Sequence, residues 1–234
     1  MTDEGENRSK GPFGDPMPRR EDPTILTGRG TYVDDMKRPD MVWASVVRSE
    51  YGHARIEDID SSRAEAEDGV VAVYTAEDLD EAGVPGEIPR IYRVPNLIEA
   101  THPVLAREKV TYQGKPVAVV VAEDRYTAHN AADLVDVEYE RLETVSNPVD
   151  AMDEGAPTIR EEVDDNVAFS WETGDEDDVE EQFADAAKVY DLELENQRII
   201  PNAIEPRCAL AEYDAVSEQL TVHIPSQQPF VHQS

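Results

Sequence analysis

The sequence predicts an α+β fold. Residues 41–48 and 70–75 are rich in β-branched and aromatic side chains, which favours strands. Residues 125–134 have the helical period, with Ala128, Ala131 and Ala132 on one side. Hydrophobic residues make up 39% of the chain, enough for a packed core.

The elements of a first domain follow one another between residues 23 and 145. A short helix is expected over 61–67, where Gly69 ends it, and a loop over 83–101, which carries Pro85, Pro89 and Pro95. A strand at 109–112 and a turn at Gly114-Lys115-Pro116 lead to residues 117–122, which are apolar enough for a strand buried on both faces. A strand over 135–139 completes the domain.

A second, smaller group of elements lies towards the end of the sequence. Residues 146–178 are acidic and irregular, which predicts a linker between domains. Asp177 or Asp178 is expected to cap a helix that places Val179, Phe183 and Ala186 on one face. Strands are predicted at 189–197, 208–213 and 220–224. One helix and three strands leave a sheet edge uncovered, so residues 179–234 are expected to be a truncated domain that another segment or chain completes.

The opening residues have a different composition. Residues 1–22 combine Gly, Pro and charged side chains with almost no apolar periodicity. This pattern is typical of a flexible segment.

The charge of the chain limits its partners. Asp and Glu number 52 against 21 Lys and Arg, giving a formal net charge of −31, and the acidic residues are spread along the sequence. Nucleic acid and anionic membranes are therefore excluded as partners. The pattern suggests a halophilic protein, with an ordinary acidic mesophilic protein as the alternative.

No segment is predicted to direct the chain to a membrane. The longest apolar run, residues 117–122, is far shorter than the ~20 residues of a spanning helix. The first residues lack the apolar core of a signal peptide. A cytoplasmic location is expected.

Several single residues are candidates for a special role. Cys208 is the only cysteine, so this chain alone cannot build a disulfide, a zinc ribbon or an iron–sulfur site. His53 could be a metal ligand, but it lacks a second ligand at metal spacing and is interpreted as a structural hydrogen-bonding residue. Gly28, Gly30 and Gly114 are assigned to turns, because no phosphate-binding glycine pattern surrounds them.

A series of short strings also occurs in a distinctive order. Arg20-Glu21-Asp22 precedes LTGRGTYVDD (26–35), VVRSEYGHARIEDID (46–60), GVVAVYTAEDL (69–79), HPVLAREKVTYQGKPVAVVVAED (102–124), AADLVDVEYERLE (131–143), NQRIIPNAIEPRCALAEYD (196–214) and PSQQP (225–229). Together they resemble the N-terminal part of the large subunit of molybdenum hydroxylases, the xanthine dehydrogenase and aldehyde oxidase family, and most of all its carbon monoxide dehydrogenase large chain branch.

The resemblance implies a fold and a few site residues. Residues 23–145 resemble the α/β hammerhead domain, and 179–234 resemble an incomplete first segment of the molybdopterin-binding domain. Glu205 and Arg207 mark the entry to that segment, either as a structural ion pair near the cofactor or as an exposed turn. Gln227 aligns with a glutamine that approaches the molybdenum centre as a neutral hydrogen-bond donor, and Gln228 is the alternative if the register shifts by one. Phe230 stands where many relatives have histidine.

The resemblance also implies an activity and partners. The complete subunit would bind molybdopterin, with iron–sulfur clusters and FAD on partner subunits, and would hydroxylate its substrate. The later glycine-rich loop, the cysteine-bearing loop and the segment with the catalytic base are absent from the sequence. No catalytic residue or metal ligand is therefore assigned here, and this chain is expected to bind no cofactor and to be inactive without the remainder of the large subunit or a second chain that supplies it. The alternative is a non-catalytic acidic scaffold. The substrate, whether carbon monoxide, an aldehyde, a purine or another heterocycle, is left open.

Overall fold

The computed structural model describes residues 19–88, 94–100, 102–197 and 199–228. Most of the predicted flexible segment lies outside these residues. The chain divides into two compact units, one of Arg38–Glu195 and one of Met1–Lys37 with Asn196–Ser234.

The unit Arg38–Glu195 contains two three-stranded antiparallel sheets. The first has the order β1–β5–β3 and the second the order β4–β2–β6. The strands are β1 (Trp43–Arg48), β2 (Ala54–Asp60), β3 (Val70–Tyr74), β4 (Lys109–Val110), β5 (Pro116–Ala122) and β6 (Asp136–Arg141).

Strand β5 lies in the middle of the first sheet and contributes to both parts of the core. Val120 pairs with Ser45 on one side and with Val73 on the other. Val120 and Ala118 pack in one cluster of buried residues, whereas Val117 packs in a second cluster with Ala54. The predicted burial of this strand on both faces is confirmed.

Three short helices connect these strands: α2 (Ser62–Glu65), α3 (Ala76–Glu81) and α4 (Arg125–Ala132). A further helix, α5 (Glu176–Asp185), follows β6 in the chain. Helix α4 begins after Asp124, whose carboxylate accepts hydrogen bonds from the backbone N–H groups of Tyr126 and Thr127. Ala128 and Ala131 are its buried residues, as the helical period predicts.

The region predicted to be an acidic linker is irregular and partly packed. It contains one 3₁₀ turn, Asp150–Met152, and a buried residue, Val163. The Asn166 side chain donates to the carbonyls of Ala151 and Pro157, and its oxygen accepts from the backbone of Ile159. These bonds hold the loop together without a helix or strand.

The unit of Met1–Lys37 and Asn196–Ser234 has few elements in its described part. Helix α1 (Asp22–Leu26) and the 3₁₀ turn Val33–Asp35 lie in the first segment. Strands β7 (Leu210–Asp214) and β8 (Gln219–His223) form an antiparallel hairpin in the second. Of the predicted strands here, 208–213 and 220–224 are confirmed as this hairpin.

Two predictions are wrong. Residues 189–197 form no strand, because no neighbouring strand pairs with their backbone in the described structure. Helix α5 is capped by Asp175, whose carboxylate accepts from the Asp178 N–H, and not by Asp177 or Asp178 themselves. Two helices, α1 and α3, one strand, β2, and the two 3₁₀ turns were not predicted.

Candidate cofactor-binding segment

Glu205 connects two distant parts of the sequence. Its carboxylate accepts a hydrogen bond of 3.4 Å from the backbone N–H of Val33, which lies in the same unit. Glu205 is partly buried, whereas Arg207 is exposed. Within the described residues Arg207 forms no ion pair with Glu205. The Glu205 carboxylate accepts from the backbone N–H of Val33 instead. A position of either residue near a cofactor stays a prediction.

Gln227 and Gln228 lie in the loop after β8. Both are exposed, and the Gln228 N–H donates to the Ser226 hydroxyl over 3.0 Å. The two neighbouring glutamines therefore lie beside a hydroxyl group. No contact in the described structure joins either of them to Glu205. Phe230 lies outside the described residues.

The hairpin before this loop is fixed by local polar contacts. Asp214 ends β7, and its carboxylate accepts from the N–H groups of Val216 and Ser217 at 2.8 and 3.3 Å. These bonds stabilise the charged form and hold the pKa of the Asp214 carboxyl below its ordinary value. Across the strands, His223 Nε2 lies 3.2 Å from Glu212. The loop with Gln227 therefore starts from a defined hairpin.

His53 has a structural hydrogen bond, which confirms its interpretation. Its Nδ1 lies 2.6 Å from the Glu143 carbonyl, and because a carbonyl only accepts, Nδ1 carries the hydrogen. The ring is buried, and within the described residues its Nε2 has no hydrogen-bond partner. The bond ties the start of β2 to the chain beyond β6.

Replacement of His53 tests this role. We expect His53→Ala to lower the free energy of unfolding by about 2–3 kcal/mol, because it removes a buried hydrogen bond and leaves a cavity. Urea unfolding followed by circular dichroism measures the change. His129→Ala, on the exposed side of α4, is the matched control and should change it by less than about 0.5 kcal/mol. Equal effects of both variants would contradict the structural role.

The described residues contain no cluster of three or more His, Cys, Asp or Glu side chains that could hold a metal ion. Cys208 is partly exposed, and its thiol contacts the Pro206 carbonyl at 3.5 Å. The polar groups of the 225–228 loop are neutral amides and a hydroxyl, which suit hydrogen bonding to an oxygen-bearing group more than direct metal ligation.

Comparison with known families assigns the two parts of the chain. Residues 27–143 match the family described as aldehyde oxidase and xanthine dehydrogenase, a/b hammerhead domain. Residues 159–234 match the molybdopterin cofactor-binding domain. The chain belongs to the aldehyde oxidase and xanthine dehydrogenase family, and its fold is a hammerhead domain followed by the start of a molybdopterin-binding domain.

Individual relatives agree with this assignment. The carbon monoxide dehydrogenase large chain of Afipia carboxidovorans is 38% identical over 225 residues, covering 91% of this chain and 27% of its own length. The nicotine 6-hydroxylase large subunit of Paenarthrobacter nicotinovorans is 35% identical, covering 93% of this chain and 26% of its own. The chain thus spans about a quarter of the length of these relatives.

Solved structures show the same likeness. The crystal structure of a Cu,Mo-CO dehydrogenase in the carbon monoxide reduced state superposes with a TM-score of 0.82 at 37% identity, covering 94% of this chain and 28% of the other. Among the described residues, no helix is both long and apolar enough to cross a bilayer.

Proposed function

We propose that this chain is the N-terminal portion of the large subunit of a molybdopterin-dependent hydroxylase of the carbon monoxide dehydrogenase and xanthine dehydrogenase type. In this proposal residues 23–145 are the hammerhead scaffold, 146–178 a linker and 179–234 the first segment of the cofactor-binding domain. Relatives act on different substrates by name, so the proposal is confined to the reaction class.

One observation carries the proposal that the chain is inactive without the rest of the subunit. Every residue from 171 to 195 is exposed, and no described residue of the unit that contains β7 and β8 is buried. The large apolar side chains here include Tyr190, Leu192 and Ile200, exposed by 84%, 79% and 87%. Apolar side chains in such number are normally covered by protein. This supports completion of the domain by a further segment, in the same polypeptide or in a second chain.

The loop at 225–228 is the part of this chain that we assign to the cofactor. The Gln227 amide would donate a hydrogen bond to an oxygen on the bound molybdenum centre, without adding charge or acting as a strong ligand. Gln228 would take this place if the register differs by one. When bound, the cofactor supplies the oxygen-transfer and redox chemistry, whereas this chain positions it. Glu205 and Arg207 are proposed to support the fold nearby.

The proposal extends to partners and location. Iron–sulfur and FAD subunits would receive the electrons, because this chain has one cysteine and no nucleotide-binding glycine motif. The charge of −31 opposes nucleic acid and anionic membranes. A cytoplasmic, salt-adapted protein is consistent with this charge.

Purification from the native host tests the proposal. The tagged chain is isolated in high salt, and co-purifying polypeptides and bound molybdenum are measured. Recovery with the missing part of a large subunit and stoichiometric molybdenum would support it. Recovery alone and free of metal would contradict it and favour a non-catalytic scaffold.

Replacement of Gln227 tests the site itself. In the assembled, molybdenum-loaded protein we expect Gln227→Ala to lower activity or metal retention by about 10- to 100-fold, because a residue that orients a metal centre has effects of this size. Gln219→Ala, an exposed glutamine of β8, is the matched control and should have no effect. If Gln228→Ala alone lowers activity, the site belongs to Gln228. Unchanged activity in both variants would contradict the assignment.

A further inference from the structure

A cleft of about 480 Å³ opens on the unit Arg38–Glu195, and none of its lining residues is among those assigned to the cofactor. It collects four basic side chains from a chain that has only 21: Arg107, Lys109, Lys115 and Arg160. Pro103 and the Thr111 hydroxyl also line it. Such a concentration of positive charge is unusual in a chain with a net charge of −31.

Lys115 is the only one of these four basic residues that is buried. Its side chain is almost fully buried, with 1% of the residue exposed, and its Nζ donates to the Pro103 carbonyl over 3.1 Å. The same Nζ lies 5.4 Å from the centre of the Tyr112 ring. Within the part of the chain that the structure describes, no carboxylate pairs with Lys115. An ammonium has three donors, so one carbonyl leaves this buried charge poorly compensated.

The other cations of the cleft differ from Lys115. Arg107 forms a two-point ion pair with Asp80, and Lys109 lies 3.5 Å from Glu161. Three glutamates, Glu108, Glu161 and Glu162, also line the cleft. Their charge opposes a large polyanion. Counted with Asp80, these carboxylates equal the four cations in number, so the local charge of Lys115 is what would attract an anion. This balance suits a small anion.

The electrostatics around Lys115 agree with this geometry. Burial, and secondly the Arg160 charge, lower the pKa of the Lys115 ammonium from its ordinary value. Burial, then Lys115 and Arg160, lower the pKa of His102, whose ring stacks on Tyr112 with centres 6.4 Å apart. An anion beside Lys115 would reverse these shifts, because an opposite charge favours the protonated form.

We propose that the cleft binds a small oxyanion of the phosphate or carboxylate class, held by the Lys115 ammonium with Thr111 and Arg160 beside it. The cleft volume lies within the range of small-molecule sites. Charge-assisted hydrogen bonds to an oxyanion are the strongest that such groups form. The proposal is independent of the function proposed above.

Titration of the full chain with inorganic phosphate tests the site. Isothermal titration calorimetry at constant KCl is expected to show saturable binding, with Lys115→Met weakening it by at least about ten-fold through the loss of a charged hydrogen bond. Lys188→Met removes the same charge at an exposed position outside the cleft and should bind phosphate as the wild type does. A parallel titration with acetate distinguishes a phosphate site from a carboxylate site.

A second variant keeps the test valid if Lys115→Met does not fold. If Lys115→Met does not unfold cooperatively, Arg160→Gln replaces it and is expected to weaken binding several-fold. Absence of saturable binding by both anions to the wild type would overturn the proposal. So would equal affinities of the wild type and of whichever of the two cleft variants is folded.

Discussion

Val120→Asp is expected to abolish folding of the unit Arg38–Glu195. Val120 is fully buried in the central strand β5, between β1 and β3. An aspartate there would bury a carboxylate with no cation to pair it, or would hold its proton at a cost of several kcal/mol. Folded domains have free energies of unfolding of roughly 5–15 kcal/mol, so this single change is comparable with the whole stability. Loss of the cooperative urea transition, followed by circular dichroism, is the measurement.

The control for this change lies in the same sheet. Val71 in β3 is 57% exposed at an irregularity in the pairing with β5, so Val71→Asp should cost less than about 1 kcal/mol. Val120→Ala provides a graded test, with an expected loss of about 1–3 kcal/mol from the cavity. If Val120→Asp and Val71→Asp unfold at the same urea concentration, β5 is not the centre of this core.

The success of the sequence in predicting β5 has a simple physical cause. A strand that is covered on both faces needs apolar residues at successive positions, and residues 117–122 supply them without help from distant segments. Strand β2 was missed because residues 54–60 contain four charged side chains, which lie on exposed positions of a sheet that is half covered. Its two isoleucines, Ile56 and Ile59, carry a weaker signal.

Residues 189–197 are the opposite case, a predicted strand that the described structure does not contain. Their alternation of apolar and acidic residues predicted a strand, but a strand forms only where another backbone pairs with it. The same dependence on distant partners hid the bond between Glu205 and Val33, 172 positions apart. The identity of the residues alone does not reveal such contacts.

The candidate site residues also differ in how far the sequence revealed them. Gln227 and Gln228 were found through the resemblance, and no local pattern would have singled them out. Lys115 was placed in a turn, because a lysine between Gly114 and Pro116 is ordinarily exposed. In the fold its Nζ donates to the Pro103 carbonyl and its own carbonyl accepts from the Ser49 N–H, which are contacts with residues distant in sequence. The signal in the sequence was its position directly before a buried strand.

The stability of this acidic chain is expected to rise with salt concentration. At 0.1 M salt the Debye length is about 10 Å and at 1 M about 3 Å, so the repulsion among 52 acidic residues is screened as salt rises. We expect the midpoint of thermal unfolding to rise by at least about 10 °C between 0.1 and 2 M KCl. For a chain of this size such a rise corresponds to roughly 3–5 kcal/mol. Sucrose of equal osmolality is the control, and an equal rise in sucrose would contradict a charge effect.

The effect of charge repulsion on stability can also be tested at a single place, the pairing of β2 with β6. Arg55 faces Glu140 and forms an ion pair with it, but Asp58 faces Glu138, and like charges at directly opposite positions destabilise a sheet. Glu138→Lys turns that repulsion into attraction, so it should raise the free energy of unfolding by about 0.5–1 kcal/mol at low salt and by much less at 1 M. Glu193→Lys makes the same change of net charge on an exposed segment with no paired strand. If both variants gain equally at low salt, the benefit comes from net charge alone, and the local repulsion between Asp58 and Glu138 contributes nothing.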